Sequence, residues 1–226
     1  MDSFDQQIEN TLWEEHREKS KRVRSHKFNP SSFGRCYRYQ VWNRANLPKS
    51  NPPDLAGLKR MKQGQETHKM IQACFDRTEI KIETEDVLGY MDIDFDNTAI
   101  DIKCTEAFKW KKYWNVPTHV TIKNKFNSWL QVLWYAVETK KPKAGLFGTV
   151  FGTFTYTPHI VEVSPYFISE VEKEINALRE WWRIFTTTNT IPYAEPRAFG
   201  GNECNYCDQK TRCKEYENGT EVSRTT

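Results

Sequence analysis

Long apolar segments, internal repeats and a strong charge of one sign are all missing from this chain of 226 residues. No apolar run approaches the ~20 residues that a membrane-spanning helix needs, so we expect no membrane partner. The first residues mix acidic and basic side chains where a signal peptide would have an apolar core, which predicts a cytoplasmic protein. The net charge of +3 is too small to indicate nucleic-acid binding by itself.

The composition is sufficient for a folded core, because 38% of the residues are hydrophobic and 14% are aromatic. The periodicity of apolar residues predicts helices over 2–25, about 31–46, 58–75, about 119–139 and 164–187. It predicts strands over 78–84, 143–153 and 155–163, and two more within 86–104. An aromatic, lysine-rich connection fills 105–118. This order of elements predicts a mixed α/β fold around a small sheet.

The segment 86–104 concentrates carboxylates in two short strands joined by a turn. The alternation of side chains along each strand would point Asp92, Asp101 and Lys103 into one space. Two neighbouring carboxylates repel each other unless a proton or a cation relieves the repulsion, and oxygen ligands suit Mg²⁺ or Mn²⁺. From this segment alone, an edge hairpin with solvated charges is an equally good interpretation.

Basic residues are concentrated in two clusters. The first precedes residue 30 and consists of Arg17, Lys19, Lys21, Arg22, Arg24 and Lys27. In the second, lysines alternate with aromatic residues, and we take four of its members as candidate DNA-binding residues: Lys109, Trp110, Lys111 and Lys112. Basic groups for phosphates beside aromatic faces for bases are typical of nucleic-acid binding. A solvated face with half-buried rings is the alternative for each cluster.

The cysteines indicate a metal site. The last three form a Cys-x2-Cys-x5-Cys run: Cys204, Cys207 and Cys213. In a cytosolic protein this spacing predicts metal binding instead of disulfides. Cys36 is the best candidate for a fourth ligand, and four thiolates bind either Zn²⁺ or an iron–sulfur cluster, which spacing alone does not separate. We expect the other two, Cys74 and Cys104, to be small buried apolar groups.

Five motifs in order resemble those of a known nuclease superfamily. Gly-x-x-Asp at 89–92 followed by Asp-x-Lys at 101–103 is similar to the core of the PD-(D/E)XK fold. Gly-x-x-x-His at 64–68 and Gln-x-x-x-Tyr at 131–135 are similar to motifs of its RecB-like branch. With Cys36 and the C-terminal cysteine run, the chain resembles the CRISPR-associated iron–sulfur exonucleases and the nuclease domains of AddB-type proteins.

This resemblance implies an α/β, restriction-endonuclease-like core, in which helices flank a mixed sheet and a cysteine-ligated cluster joins the N- and C-terminal regions. It spans about residues 31–214. We therefore divide the chain into a charged N-terminal helix (1–30), a nuclease domain (31–214) and a tail that we expect to be disordered (215–226).

The resemblance also implies roles for individual residues. Mg²⁺ or Mn²⁺ would be held by His68, Asp92, Asp101 and the backbone carbonyl of Ile102, with Asp94 as a substitute ligand. Lys103 would orient or help deprotonate the attacking water, while Gln131 and Tyr135 would contact phosphate or support the ligands. A [4Fe–4S] cluster, in preference to Zn²⁺, would be held by Cys36, Cys204, Cys207 and Cys213.

These roles imply a metal-dependent DNA nuclease, most readily an exonuclease acting on DNA ends or single strands. A non-catalytic adaptor that uses the nuclease fold to grip DNA or a partner is the alternative, and a zinc-dependent binding protein comes third. DNA is the expected partner, with further protein partners in recombination, CRISPR adaptation or phage replication.

Overall fold

The predicted helices and strands occur in their predicted order, and the structure adds one helix in the connection 105–118 and another in the C-terminal cysteine segment. The computed structural model describes residues 4–21 and 25–219. The helices of this part are α1 (Phe4–Ser20), α2 (Tyr37–Arg44), α3 (Leu55–Gln72), α4 (Ala107–Tyr113), α5 (Thr118–Asn124), α6 (Phe126–Glu138), α7 (Pro165–Thr188) and α8 (Lys210–Glu217). The strands are β1 (Thr78–Glu83), β2 (Leu88–Phe95), β3 (Thr98–Thr105), β4 (Lys143–Val150) and β5 (Tyr156–Glu162). Short 3-10 helices lie at Pro30–Ser32, Phe199–Gly201 and Glu203–Tyr206.

The five strands form one mixed sheet in the order β1-β2-β3-β4-β5. The β3–β4 pair is parallel, and the other neighbours are antiparallel. Parallel strands need a crossover connection, and α4, α5 and α6 supply it between β3 and β4. The predicted α/β class with a sheet flanked by helices is therefore confirmed.

A separate hydrophobic cluster covers each face of the sheet. On one face α6 is buried almost all round, and Trp129, Leu133 and Trp134 have no exposed surface. On the other face Ile71 of α3 packs with Ile93 and with isoleucines of β3. These clusters hold α6 and α3 against opposite faces of the central strands, so side chains of both helices reach the same strand ends.

The helix α1 is polar and packs against α3. Its Glu15 accepts a hydrogen bond from Lys62 with 2.9 Å between Oε1 and Nζ, and Glu9 forms a longer ion pair with Lys59. Because these pairs are exposed, solvent and salt screen them, and they contribute little to the stability of the fold. Among the described residues, no helix combines the length and the apolar character needed to cross a bilayer.

Two segments differ from the predictions. The connection 105–118 contains the helix α4, and the single helix predicted over 119–139 is divided into α5 and α6 at Lys125. The backbone of Lys125 leaves helical angles (φ −131°, ψ 33°), while its ammonium lies 4.4 Å from the centre of the Tyr113 ring. The cation–π contact and the partial burial of Lys125 depend on the tertiary structure. The apolar periodicity of 119–139 therefore could not predict the break between the two helices.

At both ends the predicted division of the chain extends beyond what the structure describes. The helix predicted over 2–25 ends at Ser20, and residues 22–24, with the basic Arg22 and Arg24, lie outside the described part. The helix α8 crosses the predicted boundary at 214 and continues to Glu217. Residues 220–226 of the predicted tail are also outside the described part, so the division into domains stays a prediction.

Candidate active site

The strands β2 and β3 separate where the predicted site residues lie. Next to their turn they pair at three positions: Ile93–Ile100, Asp94–Ala99 and Phe95–Thr98. Further along, Asp92 Oδ2 accepts a hydrogen bond from the backbone N–H of Ile102, with 2.6 Å between the two atoms. A side chain therefore takes the position of a strand partner, and a cleft opens between the two strands.

Four of the predicted residues meet in one hydrogen-bonded network beside this cleft. The Lys103 ammonium lies 2.7 Å from Asp101 Oδ2 and donates to Gln131 Oε1 at 2.8 Å. The Gln131 amide in turn donates to Asp101 Oδ1 at 2.7 Å and to the Tyr135 hydroxyl at 3.2 Å. Gln131 and Tyr135 lie one turn apart on α6, so one helical face supplies both.

The helix α3 brings His68 to the other side of the cleft. The helix begins after Asp54, whose side chain accepts a hydrogen bond from the Gly57 N–H at 2.7 Å. This bond gives a partner to one of the backbone N–H groups that the first turn of a helix leaves free. His68 Nδ1 lies 3.6 Å from Asp92 Oδ2. Burial alone would lower the pKa of His68, but hydrogen bonds with Asp92 and Cys104 outweigh burial and raise it to about 10. The imidazole is thus held as a cation against the carboxylate, and it could bind a metal only after losing one of its protons.

Burial also changes the ionisation of two groups in the network. It raises the pKa of Asp101 to about 6, against the opposing attraction of Lys103, and the charge of Asp92 raises it further. Asp101 is only 2% exposed, which explains the size of the effect. Burial and the charge of Asp101 likewise raise the pKa of Tyr135 above its usual range, so this phenol keeps its proton.

Gly89 explains why the motif before Asp92 begins with glycine. A Cβ atom at this position would lie 2.7 Å from Cγ of Pro30 and 2.8 Å from Cε1 of Tyr135. Both distances are shorter than real Cβ contacts, and the two neighbours are rigid rings. The absence of a side chain at residue 89 therefore lets Tyr135 approach β2 and reach Gln131.

The side chains of the cleft suit a hard divalent ion. Asp101 Oδ2 is buried and accepts no aligned hydrogen bond, although Lys103 Nζ is close by. Asp92 and His68 add a carboxylate and an imidazole, a donor set that Mg²⁺ and Mn²⁺ accept. In the described part of the chain, however, no three His, Cys, Asp or Glu side chains are close enough to form a finished metal site.

Asp94 does not belong to this group. Its carboxylate lies 2.7 Å from the Arg77 guanidinium and also contacts the Lys141 ammonium. These two cations neutralise it away from the cleft, which corrects the expectation that Asp94 could substitute as a ligand. Glu66, two residues before His68 on α3, points to solvent and pairs with Lys69 at 3.0 Å.

The four cysteines predicted to share a metal line one cavity of about 230 Å³: Cys36, Cys204, Cys207 and Cys213. Backbone and side-chain donors point at two of the sulfurs, because the Gln209 N–H lies 3.4 Å from Cys207 Sγ and Arg38 Nη1 lies 3.0 Å from Cys213 Sγ. Burial raises the pKa of Cys207 to about 11 and also raises that of Cys213. Neutral thiols are thus favoured unless a positive charge arrives.

The other two cysteines differ from the prediction that both are buried. Cys74 is exposed at the end of α3, where its thiol lies 3.8 Å from the Met70 carbonyl oxygen. Cys104 is half-buried and packs at the edge of the isoleucine cluster, as expected, but it also contacts His68. Cys104 is therefore part of the surroundings of the candidate active site.

A buried carboxylate that the sequence did not reveal ties the two cysteine segments together. Glu203 is 1% exposed, and its oxygens accept hydrogen bonds from the backbone N–H of Cys36 at 3.0 Å and from Arg35 Nε at 3.0 Å. It also accepts from the backbone N–H groups of Arg197 and Ala198. A glutamate in a polar loop is normally exposed, so the sequence carried no signal for this role.

The predicted DNA-binding residues of α4 differ in their exposure to solvent. The Trp110 indole donates to the Gly148 carbonyl at 3.0 Å and packs against the main core, so this ring supports the fold. Lys109, Lys111 and Lys112 are exposed, and Lys109 pairs with Glu106. Phe108, which is 75% exposed on the same helix, offers the free aromatic face that Trp110 does not.

Comparison with known proteins gives a likeness in fold without a likeness in sequence. No protein-family model and no curated protein matches this chain. Among solved structures, the one described as SSO0001 is 14% identical, with a TM-score of 0.55 over 94% of this chain and 96% of the other. A phage-related exonuclease from Haemophilus somnus 129PT is 12% identical, with a TM-score of 0.51 over 73% of this chain and 96% of the other. At these identities the similarity shows a shared fold alone.

Proposed function

We propose that the protein is a divalent-metal-dependent DNA nuclease, with exonucleolytic action on DNA ends or single strands. The observation that carries this proposal is the cleft between β2 and β3, where Asp92, Asp101 and Lys103 converge with His68. A purely structural hairpin would close this gap with backbone hydrogen bonds, and it would not bury two carboxylates beside each other.

Each residue has a role that its contacts support. Asp92, Asp101 and His68, with the carbonyl of Ile102, would hold the divalent ion, which would supply a Lewis acid for the phosphate and lower the pKa of bound water. Lys103 positions the attacking water and offsets negative charge near the phosphate. Gln131 fixes the side chains of Lys103 and Asp101 relative to each other through one hydrogen bond to each. Tyr135 in turn accepts a hydrogen bond from the Gln131 amide and so fixes its orientation.

Cleavage of end-labelled DNA tests the proposal. We expect degradation of linear DNA with Mg²⁺ or Mn²⁺, none in EDTA, and a loss of at least about 100-fold in Asp101→Asn and Lys103→Met. Asp76→Asn is a matched control, because Asp76 is exposed. Closed circular DNA that stays intact supports exonuclease action. DNA binding without cleavage under any of these conditions would favour the non-catalytic adaptor.

The same proposal includes a [4Fe–4S] cluster at Cys36, Cys204, Cys207 and Cys213, with a structural role. The shared cavity and the donors of Arg38 and Gln209 that point at two of its sulfurs support a site that a metal would complete. A zinc ion holds its sulfurs at about 2.3 Å and needs them gathered tightly. No such tight group occurs in the described residues, so the preference for a cluster over zinc rests on the resemblance of the cysteine pattern to that of the iron–sulfur exonucleases.

The colour and metal content of purified protein separate the two metals. A cluster gives broad visible absorption and several iron atoms for each chain, while zinc gives neither. Cys207→Ala should lower the bound iron, and Cys74→Ala is the control because Cys74 is exposed and distant in sequence from the other four. If the purified protein is colourless and contains one zinc ion, zinc takes the place of the cluster in this proposal.

A further inference from the structure

A second cavity of about 540 Å³ opens beside Gln131 and Tyr135. The 3-10 helix Pro30–Ser32, the helix α2 and the first residues of β2 form its other walls. Its volume lies within the range of sites that hold small molecules or single nucleotides and is far too small to admit a duplex. None of the roles proposed above uses it.

Gln40 of α2 lines this cavity and has an unused acceptor. The side chain is 2% exposed, and its amide nitrogen donates to the Arg35 carbonyl at 2.9 Å and to Glu174 Oε1 at 3.0 Å. These two bonds fix which way the amide points. The oxygen Oε1 is buried and has no hydrogen-bond partner among the described residues. A buried acceptor without a partner is costly, so this atom requires a donor.

The charges around the cavity do not favour a phosphate group. Three cations reach its lining, but each is neutralised by a carboxylate: Lys27 by Glu83 at 2.9 Å, Arg44 by Asp86 at 3.1 Å, and Lys49 by Asp208. A phosphate site normally presents cations that are free to pair with the ligand. The lining is therefore polar without a net attraction for anions, which suits a nucleobase better than a phosphate.

Tyr90 supplies an aromatic surface at the same place. It lies on β2 two residues before Asp92, lines the cavity, and is 50% exposed. Within the described part of the chain, no other ring or cation is stacked on it. Aromatic side chains of this kind stack on bases in proteins that bind single strands.

We propose that this cavity binds one unpaired nucleobase of the DNA strand that enters the cleft, with Tyr90 stacking on the base and Gln40 accepting a hydrogen bond from it. The donors on the Watson–Crick edge of a base are free only when the base is unpaired. This inference rests on the proposed nuclease function and adds to it a preference for single-stranded DNA next to the cleaved bond.

A scan of abasic positions tests the inference without any cleavage. Labelled single-stranded oligonucleotides, each lacking one base at a different position, are bound to the full-length protein in EDTA, and affinity is measured by fluorescence anisotropy. We expect one abasic position to weaken binding about tenfold, which is the contribution that one stacked base makes to affinity. The same position should lose most of this effect in Tyr90→Ala and in Gln40→Met.

Two controls keep the result interpretable. Tyr166→Ala removes a tyrosine of similar exposure from α7 and should keep the full abasic effect. Because Gln40→Met also removes bonds to Glu174, Tyr90→Ala provides the decisive comparison if the first variant unfolds. An abasic scan with no sensitive position in a protein that cleaves DNA overturns the base site alone. If the wild-type protein neither binds nor cleaves DNA, the base site and the proposed function both fail.

Discussion

The carboxylate of Asp92 lies in the gap between two strands and accepts the backbone N–H of Ile102 at 2.6 Å. It therefore has a structural role as well as its proposed role as a metal ligand, because the Ile102 N–H is buried and has no strand partner on that side. The two roles can be separated by substitutions that keep or remove the acceptor while removing the charge.

We predict that Asp92→Asn keeps most of the stability and loses the activity. The asparagine oxygen can still accept the Ile102 N–H, so the free energy of unfolding in urea should fall by less than about 1 kcal/mol. Asp92→Ala leaves a buried donor unsatisfied and should cost about 1–3 kcal/mol. Both variants should cleave DNA at least about 100-fold more slowly. An asparagine variant with wild-type cleavage would remove Asp92 from the metal site.

The two glycines of the nuclease-like motifs should respond oppositely to alanine. A Cβ at Gly89 would lie under 3.0 Å from Pro30 and Tyr135, so Gly89→Ala should destabilise the protein by about 1–3 kcal/mol and reduce cleavage by displacing Tyr135. At Gly64, within α3, the nearest atom beyond the helix's own backbone is 3.7 Å away. Gly64→Ala should therefore raise stability by up to about 1 kcal/mol, since alanine favours the helix. Thermal melts and urea titrations of both variants measure the difference, and equal effects would contradict it.

The spacing of residues within single strands and helices predicted much of the candidate site. Asp101 and Lys103 share a strand face because side chains alternate, and Gln131 and Tyr135 share a helix face because they are four residues apart. In the structure the two faces meet where Lys103 donates to Gln131.

What local spacing could not predict depends on contacts between distant segments. The separation of β2 from β3 depends on which group satisfies the Ile102 N–H, and a hairpin pattern predicts continuous pairing there. The burial of Glu203 depends on the segment around Cys36, 167 residues earlier in the chain. Gln40 and Trp110 show the same limit, because the sequence does not reveal which polar groups or rings the tertiary structure covers.

We predict that Glu203 assembles the cysteine cavity before any metal binds. Its carboxylate joins Cys36 and Arg35 to the loop that carries Ala198, so Glu203→Ala leaves several buried donors unpaired. The cost should be about 3 kcal/mol or more, and limited proteolysis should cut the C-terminal segment after residue 190 faster. Bound iron or zinc should fall as well. Glu195→Ala is the matched control, since Glu195 is exposed in the same segment. A Glu203→Ala protein with normal protease resistance and metal content would contradict the role.

His159 should make the protein less stable in mild acid. Burial lowers the pKa of His159 below its ordinary value of 6.5, although the Trp114 carbonyl, 2.8 Å from Nε2, opposes the shift. The folded protein therefore keeps this histidine neutral at pH values where the unfolded chain already binds a proton. The free energy of unfolding should fall as the pH drops below about 6.5, by at most about 1.4 kcal/mol for each pH unit.

The variant His159→Gln isolates this contribution. Glutamine can still donate to the Trp114 carbonyl but takes up no proton, so urea unfolding of the variant at several pH values should show a shallower decline between about pH 6.5 and pH 5 than the wild-type protein. His119→Gln makes the same substitution at an exposed position and serves as the control. If the curves for wild type and His159→Gln run parallel through this range, the acid sensitivity arises at another group. A steeper decline in the variant would mean that the folded protein stabilises the protonated ring of His159. The burial of this ring against α5 predicts the opposite.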